Sequence, residues 1–333
     1  MAEEMQNESL QSGTPVFGNA ASDSEYTANN EFSSIIEQAD LLVNNEKLEQ
    51  ANQLYNKALE SCNENDDVIK VTLLYKIGLN LANLNKYDDA MSSWDQAIQI
   101  LDKNNDVYGK GLMLHNIGTT MAKLGNISFA TKLWNQSLEF KENAGDFMGM
   151  AATLLNLAWV ANNQQDFEQE IKLIRQSVFL LAKINAWPEL IMTMQKLADT
   201  DKENSASILA QVFWLSIYEN TEPDTVFFIV SDLLKSLGIE NEYAPMIAAG
   251  AMFLIESRIH DHPQKQAIQN AAKEIMAGCA IVRKIPENEI SDWINNQGLN
   301  EPIKIFNELQ ISLNNIVGEN NWLFDRSLFK DNL

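Results

Sequence analysis

The sequence predicts an all-α fold: a solenoid of antiparallel helical hairpins that ends in a helical C-terminal module. Three observations carry this. The 333 residues include only seven Pro and 14 Gly, and the apolar content of 45% permits a full core. Small residues recur at Ala39, Gly78, Gly118, Ala158 and Ala198, in steps of 39, 40, 40 and 40. Two further columns keep that phase: Ala51, Ala90, Ala130, Glu170 and Ala210, then Tyr55, Trp94, Trp134, Ile174 and Trp214. Self-similarity at a fixed period marks a repeat architecture, in which no unit covers its apolar face alone and neighbours must stack.

The elements follow in order. Residues 1–31 hold six acidic residues and no Lys or Arg, among many Ser, Asn, Gly and Thr. Such a stretch cannot bury enough surface to offset its ordering entropy, which predicts a disordered acidic tail. Residues 32–219 hold five repeats. In the second, Leu74, Ile77, Gly78 and Leu81 share one helical face, and Ala90, Trp94 and Ala97 share a face of the next helix. The connector "NLNKYDD" has turn-forming Asn and Asp, and Asp88 and Asp89 favour a helix start. So short a connector makes the two helices antiparallel. Gly78 and Ala90 let them approach closely, with Trp94 filling the space beside them; the Trp94, Trp134 and Trp214 column is assigned to the core.

Residues 220–333 form the C-terminal module. "TVFFIVSDLLKSLG" (225–238) and "EYAPMIAAGAMFLIESR" (242–258) read as a degenerate sixth hairpin, its first helix ending at Gly238. A long amphipathic helix follows over 263–284. Two more helices start near Pro286 and Pro302 and end at Gly298 and Gly318. The aromatic segment "NWLFDRSLF" (321–329) is expected to dock back onto the body.

The formal charge of −22 argues against a general nucleic-acid binder, because phosphates would be repelled. No apolar run approaches the ~18 residues of a membrane span, and the N-terminus has neither a basic nor an apolar signal region. Two cysteines, Cys62 and Cys279, are too few for a disulfide framework or a zinc ribbon and point to a reducing, cytoplasmic setting. Catalytic motifs are nearly absent: no Gly-rich phosphate loop, no GxSxG and no HExxH. "HDH" at 260–262 reads as a solvated turn. The chain is therefore expected to be a non-enzyme with no cofactor and no metal.

Leu74, Ile77, Gly78, Leu81, Ala90, Trp94 and Ala97, and again Leu114, Ile117, Gly118, Met121, Ala130, Trp134 and Ser137, occupy the fixed offsets of a known motif. In these residues the chain resembles the tetratricopeptide repeat family over roughly residues 32–219. Its repeat of about 40 residues is longer than the usual 34 of that family, and is similar to the extended repeats of kinesin light chains and G-protein-modulator spindle scaffolds. The fourth repeat departs from the pattern at Glu170, and the fifth has a Ser-rich connector. The resemblance implies a right-handed superhelix whose first helices line a concave groove that binds a partner polypeptide.

It also implies which residues face that groove. Two residues before each small residue stand Glu37, Lys76, Asn116, Asn156 and Lys196. In the family this offset often presents Asn to a bound peptide, and an Asn amide offers donors and an acceptor to a peptide group without reading its side chain. The candidate partner-binding residues are Lys76, His115, Asn116, Asn156, Trp159 and Lys196. Trp159, one residue past the small position, is a candidate hot-spot anchor. The expected role is a protein-protein interaction scaffold, adaptor or assembly factor. The alternatives are a homo-oligomer formed through Trp322, Phe324 and Phe329 and, weaker, an enzyme using His260, Asp261 and His262.

Overall fold

The computed structural model describes residues 30–219, 221–258, 265–319 and 321–332. Residues 1–29 of the expected acidic tail and the 260–262 stretch lie outside them. Among the described residues there is no strand. The helices are α1 (Asn30–Asn44), α2 (Leu48–Glu60), α3 (Asp67–Asn83), α4 (Tyr87–Lys103), α5 (Val107–Lys123), α6 (Ile127–Ala144), α7 (Phe147–Asn163), α8 (Phe167–Lys183), α9 (Trp187–Thr200) and α10 (Ser205–Tyr218). They continue as α11 (Pro223–Leu237), α12 (Ala244–Arg258), α13 (Lys265–Val282), α14 (Ile290–Gln297) and α15 (Pro302–Val317), with 3-10 turns at Glu287–Glu289 and Arg326–Asn332. None is long and apolar enough to cross a membrane. The chain divides into two compact units, Met1–Gln164 and Gln165–Leu333.

In the first unit α1 packs on α2, α3 on α4 and α5 on α6, and each hairpin packs on the next; α3 also touches α5, and α5 touches α7. From α3 to α9 one turn device sets the length of each step. Asn85, Asn105, Gly125, Gly145, Gln165 and Asn185, each twenty residues after the last, take left-handed φ angles between 54° and 84°. The residue after the left-handed one then donates its N–H back to the helix, as Lys86 does to Leu81 (2.9 Å), Asp106 to Leu101 (2.9 Å) and Asn126 to Met121 (2.8 Å). Such bonds satisfy carbonyls that a helix end leaves open.

The same residue caps the next helix. Asp106, Asn126, Asp146 and Asp166 accept from the amides of Gly109, Phe129, Gly149 and Gln169. The forty-residue repeat is thus two half-repeats of one helix and one turn. Glu46 takes the same left-handed φ of 59° without an Asn or Gly side chain. Since that region costs an ordinary residue about 1 kcal/mol, Glu46→Gly should stabilise the chain by about that much in chemical denaturation.

The Gly and Trp columns are one contact. Trp94 and Trp134 are buried, and each indole N–H donates to a carbonyl of its own hairpin's first helix, Tyr75 and His115 respectively, both at 3.2 Å. A Cβ on Gly78 would lie 2.3 Å from Nε1 of Trp94, and one on Gly118 would lie 2.9 Å from Nε1 of Trp134. The indole therefore lies directly over the glycine rather than beside it. Ser137, where the second repeat has Ala97, is fully buried and donates to the Gly111 carbonyl at 2.7 Å.

In the second unit α8 packs on α9, α9 on α10, α10 on α11, α11 on α12 and α12 on α13, while α15 packs against both α10 and α12. Gly250 makes room for the α12–α15 crossing, since a Cβ there would meet Leu309 at 2.5 Å. Trp214 shows what happens when the small residue is Ala198: its Nε1 donates to Oε1 of Gln310 on α15, at 2.6 Å, and not to α9. The Arg258 guanidinium donates to the carbonyls of Ser216 (2.8 Å) and Ile217 (2.9 Å), closing the C-terminal end of α10 where a cation is favoured.

Candidate functional site

The expected groove residues of the first unit lie on α3, α5 and α7, the first helix of three successive repeats. The structure treats them unequally. Lys76 is already engaged: its Nζ lies 2.7 Å from Oδ1 of Asp40, the Tyr55 hydroxyl donates to the same oxygen, and the Tyr55 ring lies 5.7 Å from Nζ. Burial, then the bond to Asp40, hold the Tyr55 phenol well above its ordinary pKa. This cluster ties α1, α2 and α3 together, and the Lys76 charge has a carboxylate of its own chain.

His115 is buried, with Nδ1 2.9 Å from Oγ1 of Thr153 on α7. Lys141 on α6 reaches the same hydroxyl at 3.2 Å and the Gly149 carbonyl at 2.9 Å. Thr153 has one hydroxyl proton, and the Gly149 carbonyl, at 2.7 Å, takes it. With Lys141 donating as well, the His115–Thr153 bond needs its proton on Nδ1, which leaves Nε2 as the ring's acceptor. Burial, reinforced by repulsion from Lys141, pushes the His115 pKa down to about 3. Burial likewise pulls Lys141 down to about 8, against the opposing pull of Asp146. His115 is therefore neutral at any physiological pH, and Lys141 is a cation near the edge of its range.

Asn116 and Asn156 occupy the same repeat position on α5 and α7. Both are buried, at 2% and 8% exposure, and among the described residues neither Nδ2 has a hydrogen-bond partner. Leaving a buried donor unsatisfied costs about 1–3 kcal/mol, so two such donors in one column need an explanation. Thr119 is buried on α5 and donates to the His115 carbonyl at 3.0 Å, while Trp159 is half-buried on α7. The arrangement offers two amide donors one repeat apart, with an indole one turn beyond the second.

Lys196 belongs to the second unit. It is half-buried on α9, and burial lowers its pKa while the Glu170 charge raises it. Glu170, which departs from the Ala column, is 3% exposed. The departure and the lysine thus answer each other electrostatically.

Sequence reasoning did not reach Lys141, Thr153 or Gly149. A signal was present. Seven residues after each large column residue stand Cys62, Leu101, Lys141, Leu181 and Thr221. Lys141 is a cation in a column otherwise held by apolar or weakly polar side chains. Its stem passes over Gly111, where a Cβ would lie 3.0 Å from its Cγ, and its head meets Gly149, where a Cβ would lie 2.8 Å from Nζ. The two glycines leave the path through which the lysine reaches α7.

No family model matches the chain, and no curated protein matches it either.

Proposed function

We propose that the chain is a protein-binding scaffold of the tetratricopeptide kind, whose stacked hairpins curl into a right-handed superhelix and hold a partner polypeptide along the first helices. It acts as an adaptor or assembly factor in the cytoplasm, without catalysis of its own. The observation that supports this reading is the pair of buried, unpartnered Nδ2 groups of Asn116 and Asn156. Each is suited to donate to a main-chain carbonyl of a bound segment, which is the one chemical group that recurs along every peptide. His115 Nε2 adds an acceptor and Trp159 an apolar anchor beside them.

The test separates binding from folding. A random-peptide library is selected on the wild-type chain, and the selected peptides are measured against Asn116→Leu/Asn156→Leu. Leucine has the same branched outline and number of side-chain heavy atoms as asparagine and carries no donor to leave unsatisfied. The double variant should melt at or above the wild-type temperature, because each replacement removes an uncompensated polar group. It should bind the peptides roughly tenfold or more weakly, as two hydrogen bonds of about 0.5–1.5 kcal/mol each are lost. A double variant that is destabilised while still binding every peptide would make the two amides structural and remove this reading.

A further inference from the structure

The second unit already holds a polypeptide segment: its own C-terminus. α15 ends at Val317, and Gly318 with φ of 81° redirects the chain. Beyond it, Phe324 and Phe329 are 7% and 4% exposed, packed against aromatic rings of α9 and α10. Phe329 lies 4.7 Å from Trp187, 5.3 Å from Trp214 and 5.3 Å from Tyr218, and Phe324 lies 5.7 Å from Trp214. One side chain reads the segment's backbone. Gln211 of α10 accepts from the Leu323 amide at 2.8 Å and donates to the Asn321 carbonyl at 3.3 Å.

This is peptide recognition in form: a side-chain amide clamps the two successive peptide units that flank Trp322, and an aromatic wall takes two phenyl rings. The indole at the centre of the seat has its hydrogen bond without the ligand. Trp214 Nε1 is satisfied by Gln310 of α15, whose Nε2 in turn donates to the Tyr218 hydroxyl at 3.3 Å. The segment, by contrast, is imperfectly satisfied. The Trp322 indole N–H is buried with no acceptor among the described residues, although the Arg326 guanidinium stacks 4.1 Å from its ring. An unsatisfied donor on the ligand side weakens docking.

We propose that the α9–α10 face is a peptide-binding surface, which the chain's own residues 321–329 occupy in cis and which accepts the same segment from a second copy in trans. The contact is independent of the α5–α7 groove and does not rest on its role. It also places the tail aromatics in a cis contact in the single chain, so association between copies through these aromatics requires the segment to leave its own seat first.

The experiment uses the full-length chain carrying Phe324→Ala and Phe329→Ala, which keeps the tail but removes its two anchors, and a labelled synthetic peptide of residues 319–333. The folded variant should bind the peptide saturably. The wild-type chain should bind it at least tenfold more weakly, because its own tail competes at high effective concentration. A peptide carrying the same two alanines should not bind, and adding Gln211→Ala to the full-length variant should weaken binding a further several-fold. The proposal is overturned if the folded variant ignores the peptide, or if the wild type binds it equally well, which would place it elsewhere. Phe329→Ala alone serves if the double variant loses its cooperative melt. If neither variant folds, the segment is core rather than ligand and the proposal falls.

Discussion

Gly78→Ala should destabilise the chain by about 1–3 kcal/mol, the opposite sign from its effect on an isolated helix. In a free helix the change gains about 0.5–1 kcal/mol from reduced backbone entropy. Here the new methyl would fall 2.3 Å from Nε1 and 2.6 Å from Cδ1 of Trp94, a side chain with no exposed surface to move into. The indole must leave its rotamer and give up the Tyr75 carbonyl, and overpacking of this kind costs about 1–3 kcal/mol. Gly118→Ala should act in the same direction and less strongly, since the closest approach there is 2.9 Å, although the Ala130 carbonyl at 3.2 Å leaves backbone as well as side chain to shift.

A second change tests the cause. The first repeat pairs Ala39 with Tyr55, so Gly78→Ala should be partly rescued by Trp94→Tyr. A double-mutant cycle read by urea denaturation should give a coupling of about 1 kcal/mol or more between the two sites. Additive effects would mean that the columns recur for separate reasons.

Lys141→Met should raise stability at pH 7 by about 1–3 kcal/mol and flatten the chain's stability between pH 8 and 10. The native lysine holds its proton more weakly than the unfolded one, with a pKa near 8 against 10.5. Below pH 8 both states carry the charge, and the native state bears its full desolvation cost, roughly 3 kcal/mol at 1.36 kcal/mol per unit. Between pH 8 and 10.5 the unfolded state binds more protons, so wild-type stability rises with pH. Methionine fills similar volume without a charge, and Thr153 still donates to Gly149.

Tyrosine ionisation sets the upper end of the window. Burial lifts Tyr75 to about 12, so stability contributed by the neutral phenol falls once pH passes 10. Melts from pH 6 to 10 on both chains check the prediction. A variant with the wild-type slope would show that Lys141 is not the titrating group.

How much of this was legible in the sequence differs from residue to residue. The Gly–Trp phase was visible because a close approach admits one residue type on each side, and that demand repeats with every hairpin. The twenty-residue turn device was also written in the chain, in Asn85, Asn105, Gly125, Gly145 and Asn185, yet Glu46 and Gln165 in the same conformation blur the column. Lys76 looked available from its position alone. Only the fold reveals that Asp40, thirty-six residues away, already holds it. Asn116 and Asn156 could be placed on a face by period, but whether their amides are satisfied depends on the helices around them.

Local spacing therefore determined what is local: all-helical content, the hairpin step, the glycine under the Trp94 and Trp134 indoles and the glycines that stop α11, α14 and α15. Side-chain period and turn chemistry act within a few residues, so they leave a periodic record. Tertiary structure alone decided the partners of the charged and polar groups: Lys141 with Thr153, Lys76 with Asp40, and Gln211 with the tail's backbone. Those pairings join residues far apart in the chain, and burial, which sets their protonation and their unmet hydrogen bonds, is a property of the packed whole.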